Sequence, residues 1–141
     1  MPAADLKISR ETAVELGREA VAIGRQQGYQ SPSGQWIDLR AQITCAREGT
    51  LAYPPDQTLP PVAARRFATE ISVVNDTTLA AARTLLDGGW RVVALNFAAP
   101  THPGGGFLDG ARAQEEYLAR SSALYACLVG QPMYAFHEAA Y

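Results

Sequence analysis

A chain of 141 residues, 48% hydrophobic and 18% charged, suits one domain and holds enough apolar material for a core. A formal charge of -2 with no Lys/Arg block excludes broad electrostatic capture of nucleic acid. No stretch approaches the ~18 apolar residues of a membrane span, and the polar N-terminus has no apolar signal core, so a cytoplasmic protein is expected.

In chain order, residues 10–27 read as a helix. Ser9 can cap it, Glu11 lies in its first turn, Gly28 can end it, and Val14, Ala20, Val21 and Ile23 supply an apolar stripe. The N-terminal helical segment is thus placed at 1–28. Residues 35–39 alternate as a short strand, with Trp36 on one face and Ile37 and Leu39 on the other. Residues 40–48 suit a short helix. The four prolines and one glycine of 49–62 make a loop. Thr69–Val74 is a β-branched run and reads as a buried strand. Asn75 or Asp76 then caps a helix over Thr77–Leu86, which Gly88 and Gly89 end, and Arg91–Asn96 reads as a second buried strand. Strand, helix and strand make a parallel, right-handed βαβ unit. A further helix is expected from Arg112 to about Gly130, with Leu118, Leu124 and Leu128 in the core. Cys45 and Cys127 fall in helical, apolar surroundings and read as buried reduced thiols rather than as a disulfide or a catalytic cysteine.

Between the second strand and the last helix runs Pro103-Gly104-Gly105-Gly106-Phe107-Leu108, then Gly110-Ala111-Arg112-Ala113-Gln114-Glu115-Glu116. Open parallel sheets bind ligands at the carboxyl ends of their strands, which is where this run lies. Three consecutive glycines permit positive φ and bring peptide N–H groups against a ligand, an arrangement that favours phosphate or diphosphate. The alternative is a long loop that needs glycines for its turn. The run is neither a Walker loop nor a dinucleotide fingerprint. Glu115 and Glu116 either complement the positive end of a helix or do acid–base work. Adjacent helical residues point ~100° apart, so the pair cannot easily face each other across a scissile bond. One glutamate then serves as acid and later as base, while the other orients the substrate or tunes its neighbour's acidity by like-charge repulsion. His102 and His137 are the only histidines and no Cys/His cluster exists, so neither metal nor cofactor is expected.

Leu95-Asn96-Phe97-Ala98, the Pro-Gly-Gly-Gly-Phe-Leu run, Gln-Glu-Glu, and Arg120-Ser121-Ser122-Ala123-Leu124-Tyr125 together resemble the catalytic core of bacterial-type poly(ADP-ribose) glycohydrolases, over most of residues 8–141. The resemblance implies an α/β fold, a macrodomain-like three-layer αβα arrangement with a mostly parallel sheet, in one domain over 1–141. Within it, 69–130 would hold the βαβ unit, the glycine loop and the catalytic helix. The resemblance also implies metal-free hydrolysis of the ribose–ribose O-glycosidic bond of poly(ADP-ribose), releasing ADP-ribose. By position, Glu116 is the general acid and base, Glu115 and Asn96 hold the ribose, and Gln114 joins the substrate-binding set. Gly104, Gly105 and Gly106 wrap the diphosphate. Phe107 either packs on the ligand or anchors the loop.

Three departures stand out. His102 occupies a position where the family often has Asn, and reads as an exposed loop residue or as a polar substitute facing the ligand. Asp109 stands where a glycine is common. The chain also stops at Tyr141, whereas family members run on for roughly a hundred residues, so the sheet is expected to be incomplete unless a partner chain or a dimer completes it. Two other readings remain: an ADP-ribose-binding macrodomain without turnover or an inactive truncated fragment, and an unrelated α/β protein in which the glycines and glutamates are structural.

Overall fold

The computed structural model describes residues 8–62 and 68–140. Residues 1–7 of the expected N-terminal segment lie outside them. The described residues divide into two compact units, 53–62 with 68–94, and 8–52 with 95–140.

The second unit begins with α1 (Arg10–Gln26). Ser9 caps it as expected, its Oγ accepting from the Thr12 amide at 3.1 Å. The helix ends one residue before the expected stop: Gln27 takes the left-handed conformation at φ 57° and its amide donates to the Ile23 carbonyl. Gly28 has a different job. It opens the strand β1 (Gly28–Gln30), where a methyl group would lie 2.6 Å from the Ile37 carbonyl oxygen of β2 (Trp36–Asp38). The two strands pair antiparallel, Tyr29 opposite Ile37, through a turn that Gly34 completes at φ 82°. Trp36 is exposed and Ile37 half-buried, which agrees with the expected alternation.

Next comes α2 (Arg40–Glu48), with the bounds read from sequence. It buries Ile43 alone. Cys45, two residues on and ~200° around the helix, is exposed rather than buried, and Cys127 is only half-buried; both thiols are free.

In the unit 53–94, α3 (Thr78–Asp87) forms where a helix was expected. Its cap is Thr77, whose Oγ1 accepts from the Ala80 amide, while Asp76 accepts one step earlier from the Thr77 amide. Gly88 and Gly89 turn the chain out of the helix, Gly89 at φ 82°. The expected strands on either side do not form. Among the described residues, 69–74 and 91–96 have no sheet partner, and Ile71, Val73 and Val93 are 89%, 94% and 96% exposed. A strand exists only by pairing, and a parallel strand needs neighbours that local sequence cannot supply. Among the described residues the only sheet is the β1–β2 hairpin, so neither the parallel βαβ unit nor a mostly parallel sheet is present.

The rest of the second unit is helical: a 3-10 turn at Phe107–Asp109, then α4 (Gln114–Ser121), α5 (Leu124–Leu128) and α6 (Pro132–Ala140). The single helix expected from Arg112 to Gly130 is broken at Ser122, which is extended at φ -154°. Its hydroxyl explains the break: it donates to the Leu118 carbonyl and accepts from the Leu124 amide, closing one helix and opening the next. Leu118 is buried, while Leu124 and Leu128 are half-buried. The core joins Ala13 and Gly17 of α1 to Phe107, Leu118, Ala119 and Tyr134. No helix of the described residues is long and apolar enough to cross a membrane.

Candidate active site

Two carboxylates are buried in the first turn of α4, Glu115 at 3% and Glu116 at 8% exposure. A buried carboxylate needs hydrogen-bond donors, and the backbone provides most of them here. Glu116 Oε1 accepts from the Gly106 amide at 3.1 Å. Glu115 Oε2 accepts from the Ala99 amide at 2.6 Å, and its Oε1 from Asn96 Nδ2 at 3.4 Å. The positive end of α4 adds a favourable field at both groups.

The glycine run makes this possible. Gly105 sits at φ 59°, and a methyl group on it would lie 3.0 Å from the Glu116 carboxyl carbon and 3.2 Å from Glu115 Oε2. Only a residue without Cβ brings the backbone this close to two carboxylates. The Gly105 amide donates to the His102 carbonyl, and the Gly106 amide to Glu116. Two of the three amides expected to wrap a diphosphate therefore have partners inside the chain. Gly104 is buried at φ 74°, facing the Phe107 ring and Ala119.

Phe107 anchors the loop. It is 1% exposed and its ring packs on that of Tyr125 with centroids 4.8 Å apart. His102 is exposed and bonded to Thr101, as suits a loop residue.

The site thus brings together Asn96, Gly105, Gly106, Gln114, Glu115 and Glu116. Gln114 reaches the backbone rather than an open cleft: Nε2 donates to the Leu95 carbonyl at 2.7 Å and Oε1 accepts from the Phe97 amide at 2.9 Å. Among the described residues two buried acceptor atoms have no partner, Glu116 Oε2 and Asn96 Oδ1. A third unpartnered buried atom is the Tyr134 hydroxyl. Burial, and then the Glu115 charge, push the Tyr134 phenol above its ordinary range.

Sequence reasoning did not single out Tyr134 or Arg120. Tyr134 lies on α6, whose start is signalled by Pro132 at its first position. Arg120 donates from Nη1 to the Ala111 carbonyl at 2.7 Å and, at 3.4 Å, to that of Phe107, tying the far side of the glycine loop to α4. Burial lowers its basicity and the Glu116 charge partly restores it. Arg10 and Arg112 bind further carbonyls on this side, those of Asp109 and Ile8. Among the described residues no group of three or more His, Cys, Asp or Glu is placed to hold a metal ion.

The chain is similar to the crystal structure of poly(ADP-ribose) glycohydrolase from Thermomonospora curvata, with 42% identity and a TM-score of 0.81 over 92% of this chain and 50% of that one. It is similar also to the same enzyme bound to the inhibitor ADP-HPD, at 40% identity and a TM-score of 0.77, and to a glutamate-to-alanine variant at 40% and 0.78; each alignment covers 92% of this chain and 48% of the other. The likeness supports an α/β fold of that kind, and the chain spans about half the length of the T. curvata enzyme. Comparison with curated proteins gives no match. A family model described as "Microbial-type PARG, catalytic domain" matches residues 17–141. The chain therefore belongs to the microbial-type poly(ADP-ribose) glycohydrolase catalytic-domain family.

Proposed function

We propose that this chain carries the catalytic half of a poly(ADP-ribose) glycohydrolase site, in which Glu116 alone performs acid and base chemistry on a ribose–ribose O-glycosidic bond. The observation that carries the reading is the asymmetry of the two glutamates. Both oxygens of Glu115 accept hydrogen bonds from the chain, whereas Glu116 is held by one oxygen and keeps Oε2 buried and unpartnered. A buried polar atom without a partner calls for one. A scissile oxygen at Oε2 would be that partner.

The steps then balance on one group. Protonated Glu116 gives its proton to the leaving 2′-oxygen as the glycosidic C–O bond breaks. The resulting carboxylate takes a proton from the water that attacks the oxocarbenium-like sugar, which restores the acid. Asn96 Oδ1, the second unpartnered acceptor, suits a ribose hydroxyl, and Asn96 Nδ2 links that contact to Glu115. The inhibitor complex of the T. curvata enzyme is consistent with a ligand of this class.

Glu116→Gln tests the reading. It keeps the shape and the acceptor for the Gly106 amide but cannot donate and then abstract a proton. Release of ADP-ribose from poly(ADP-ribose) is expected to fall by at least ~100-fold; undiminished turnover removes Glu116 from this role. A second reading is ADP-ribose binding without turnover. Calorimetry with ADP-ribose beside the turnover assay separates the two.

A further inference from the structure

Residues 95–97 lie at the end of the segment 91–96 in which a parallel strand was expected, and among the described residues no strand pairs with them. A neighbouring parallel strand would engage two groups flanking Asn96, accepting from the amide of the residue after it and donating to the carbonyl of the residue before it. The Gln114 side chain does both. Oε1 accepts from the Phe97 amide at 2.9 Å and Nε2 donates to the Leu95 carbonyl at 2.7 Å. One amide group thus supplies the hydrogen bonds that a peptide of an adjacent strand would supply. The next residue continues the docking, Glu115 taking the Ala99 amide and Asn96 Nδ2.

We propose that Gln114 is a positioning residue that replaces a missing strand neighbour: by clamping the backbone on both sides of Asn96, it fixes that side chain against Glu115 at the sugar position. This assigns Gln114 a role through Asn96 rather than a contact with substrate, and it rests on the hydrolase reading above. The geometry also explains why Gln114, Glu115 and Glu116 are consecutive. The first holds the backbone that carries Asn96, the second holds the Asn96 side chain, and the third is left with an unpartnered oxygen. A glutamine is required because only an amide both donates and accepts in one plane.

The test is a double-mutant cycle on the full chain, with poly(ADP-ribose) turnover and ADP-ribose calorimetry as readouts. Gln114→Met keeps the side-chain length and removes both hydrogen bonds. Its kcat is expected to fall by about 10- to 100-fold, as for a misplaced catalytic constellation, with KM little changed. In the Asn96→Ala background the same substitution should cause no further loss, because its effect passes through Asn96. Losses that multiply in the double variant, or a rise in KM without a fall in kcat, overturn the proposal and make Gln114 a direct contact. Hydrogen exchange at the Phe97 amide is the readout independent of activity: it should accelerate in Gln114→Met, and unchanged protection there overturns the proposal by itself. If Asn96→Ala leaves both turnover and ADP-ribose affinity unaltered, the assignment of Asn96 to the ribose fails instead, and the exchange result still decides whether Gln114 clamps the strand end.

Discussion

Gly105→Ala probes the closest approach in the molecule, and Gly34→Ala is its control. Gly34 lies in the β1–β2 turn at φ 82°, and a methyl group there would meet nothing within 4 Å. Its substitution isolates the strain of placing an L side chain in the left-handed region, about 1–2 kcal/mol. Gly105 has the same strain at φ 59° and a second penalty, because its methyl group would enter the space of the Glu116 carboxylate. Glu116 must then leave the Gly106 amide, and losing a hydrogen bond to a charged group costs about 1.5–3 kcal/mol more. The summed expectation is about 2.5–5 kcal/mol for Gly105→Ala against about 1–2 for Gly34→Ala. Urea unfolding of both variants beside the parent chain measures the difference. Turnover of poly(ADP-ribose) adds the functional side: a displaced Glu116 should lower it by about 100-fold, while Gly34→Ala should leave it near the parent value. Equal stability losses for the two variants would refute the packing argument. A Gly105→Ala protein with full turnover would refute the placement of Glu116 beside this glycine.

Two further outcomes concern stability. Phe107→Ala should cost about 3–5 kcal/mol in urea unfolding, because the ring is enclosed by Gly17, Gly104, Ala119 and Tyr125 and the α1 backbone cannot collapse into the space left; a loss below about 1 kcal/mol would show that the loop does not rest on it. Tyr134 titrates above its unfolded value, since burial and the Glu115 charge both oppose the phenolate. The native state therefore keeps a proton that the unfolded chain releases, so this contribution is complete below about pH 10 and declines as pH rises through the native pKa. Tyr134→Phe should flatten the alkaline slope of stability against pH relative to the parent chain; an identical slope in both proteins would remove Tyr134 as its source.

What was local in the sequence was legible. Ser9 and the end of α2 could be placed because caps and helix bounds depend on residues within one turn. The glycine run and Gln-Glu-Glu could be marked as a site because the spacing of backbone without side chains and paired acids is itself a chemical pattern. Some local signals were misassigned: Gly28 serves strand approach rather than a helix stop, and the Ser122 hydroxyl divides what periodicity alone joins into one helix. Pairing was not legible. The β-branched runs at 69–74 and 91–96 state that strands are favourable, yet a strand forms only when a distant segment offers its own N–H and C=O groups.

The sequence by itself therefore determined α1, α2, α3 and the family-specific run of glycines and acids, all of which depend on neighbours within a few residues. Only the tertiary structure decided which partners those acids find. Burial forces each carboxylate oxygen to find a donor, and the donors come from residues 10 to 19 positions away: the Gly106 amide for Glu116, the Ala99 amide and Asn96 for Glu115. Among the described residues those partners leave a single buried oxygen of Glu116 unmatched, and the Gln114 amide meets the backbone on both sides of Asn96.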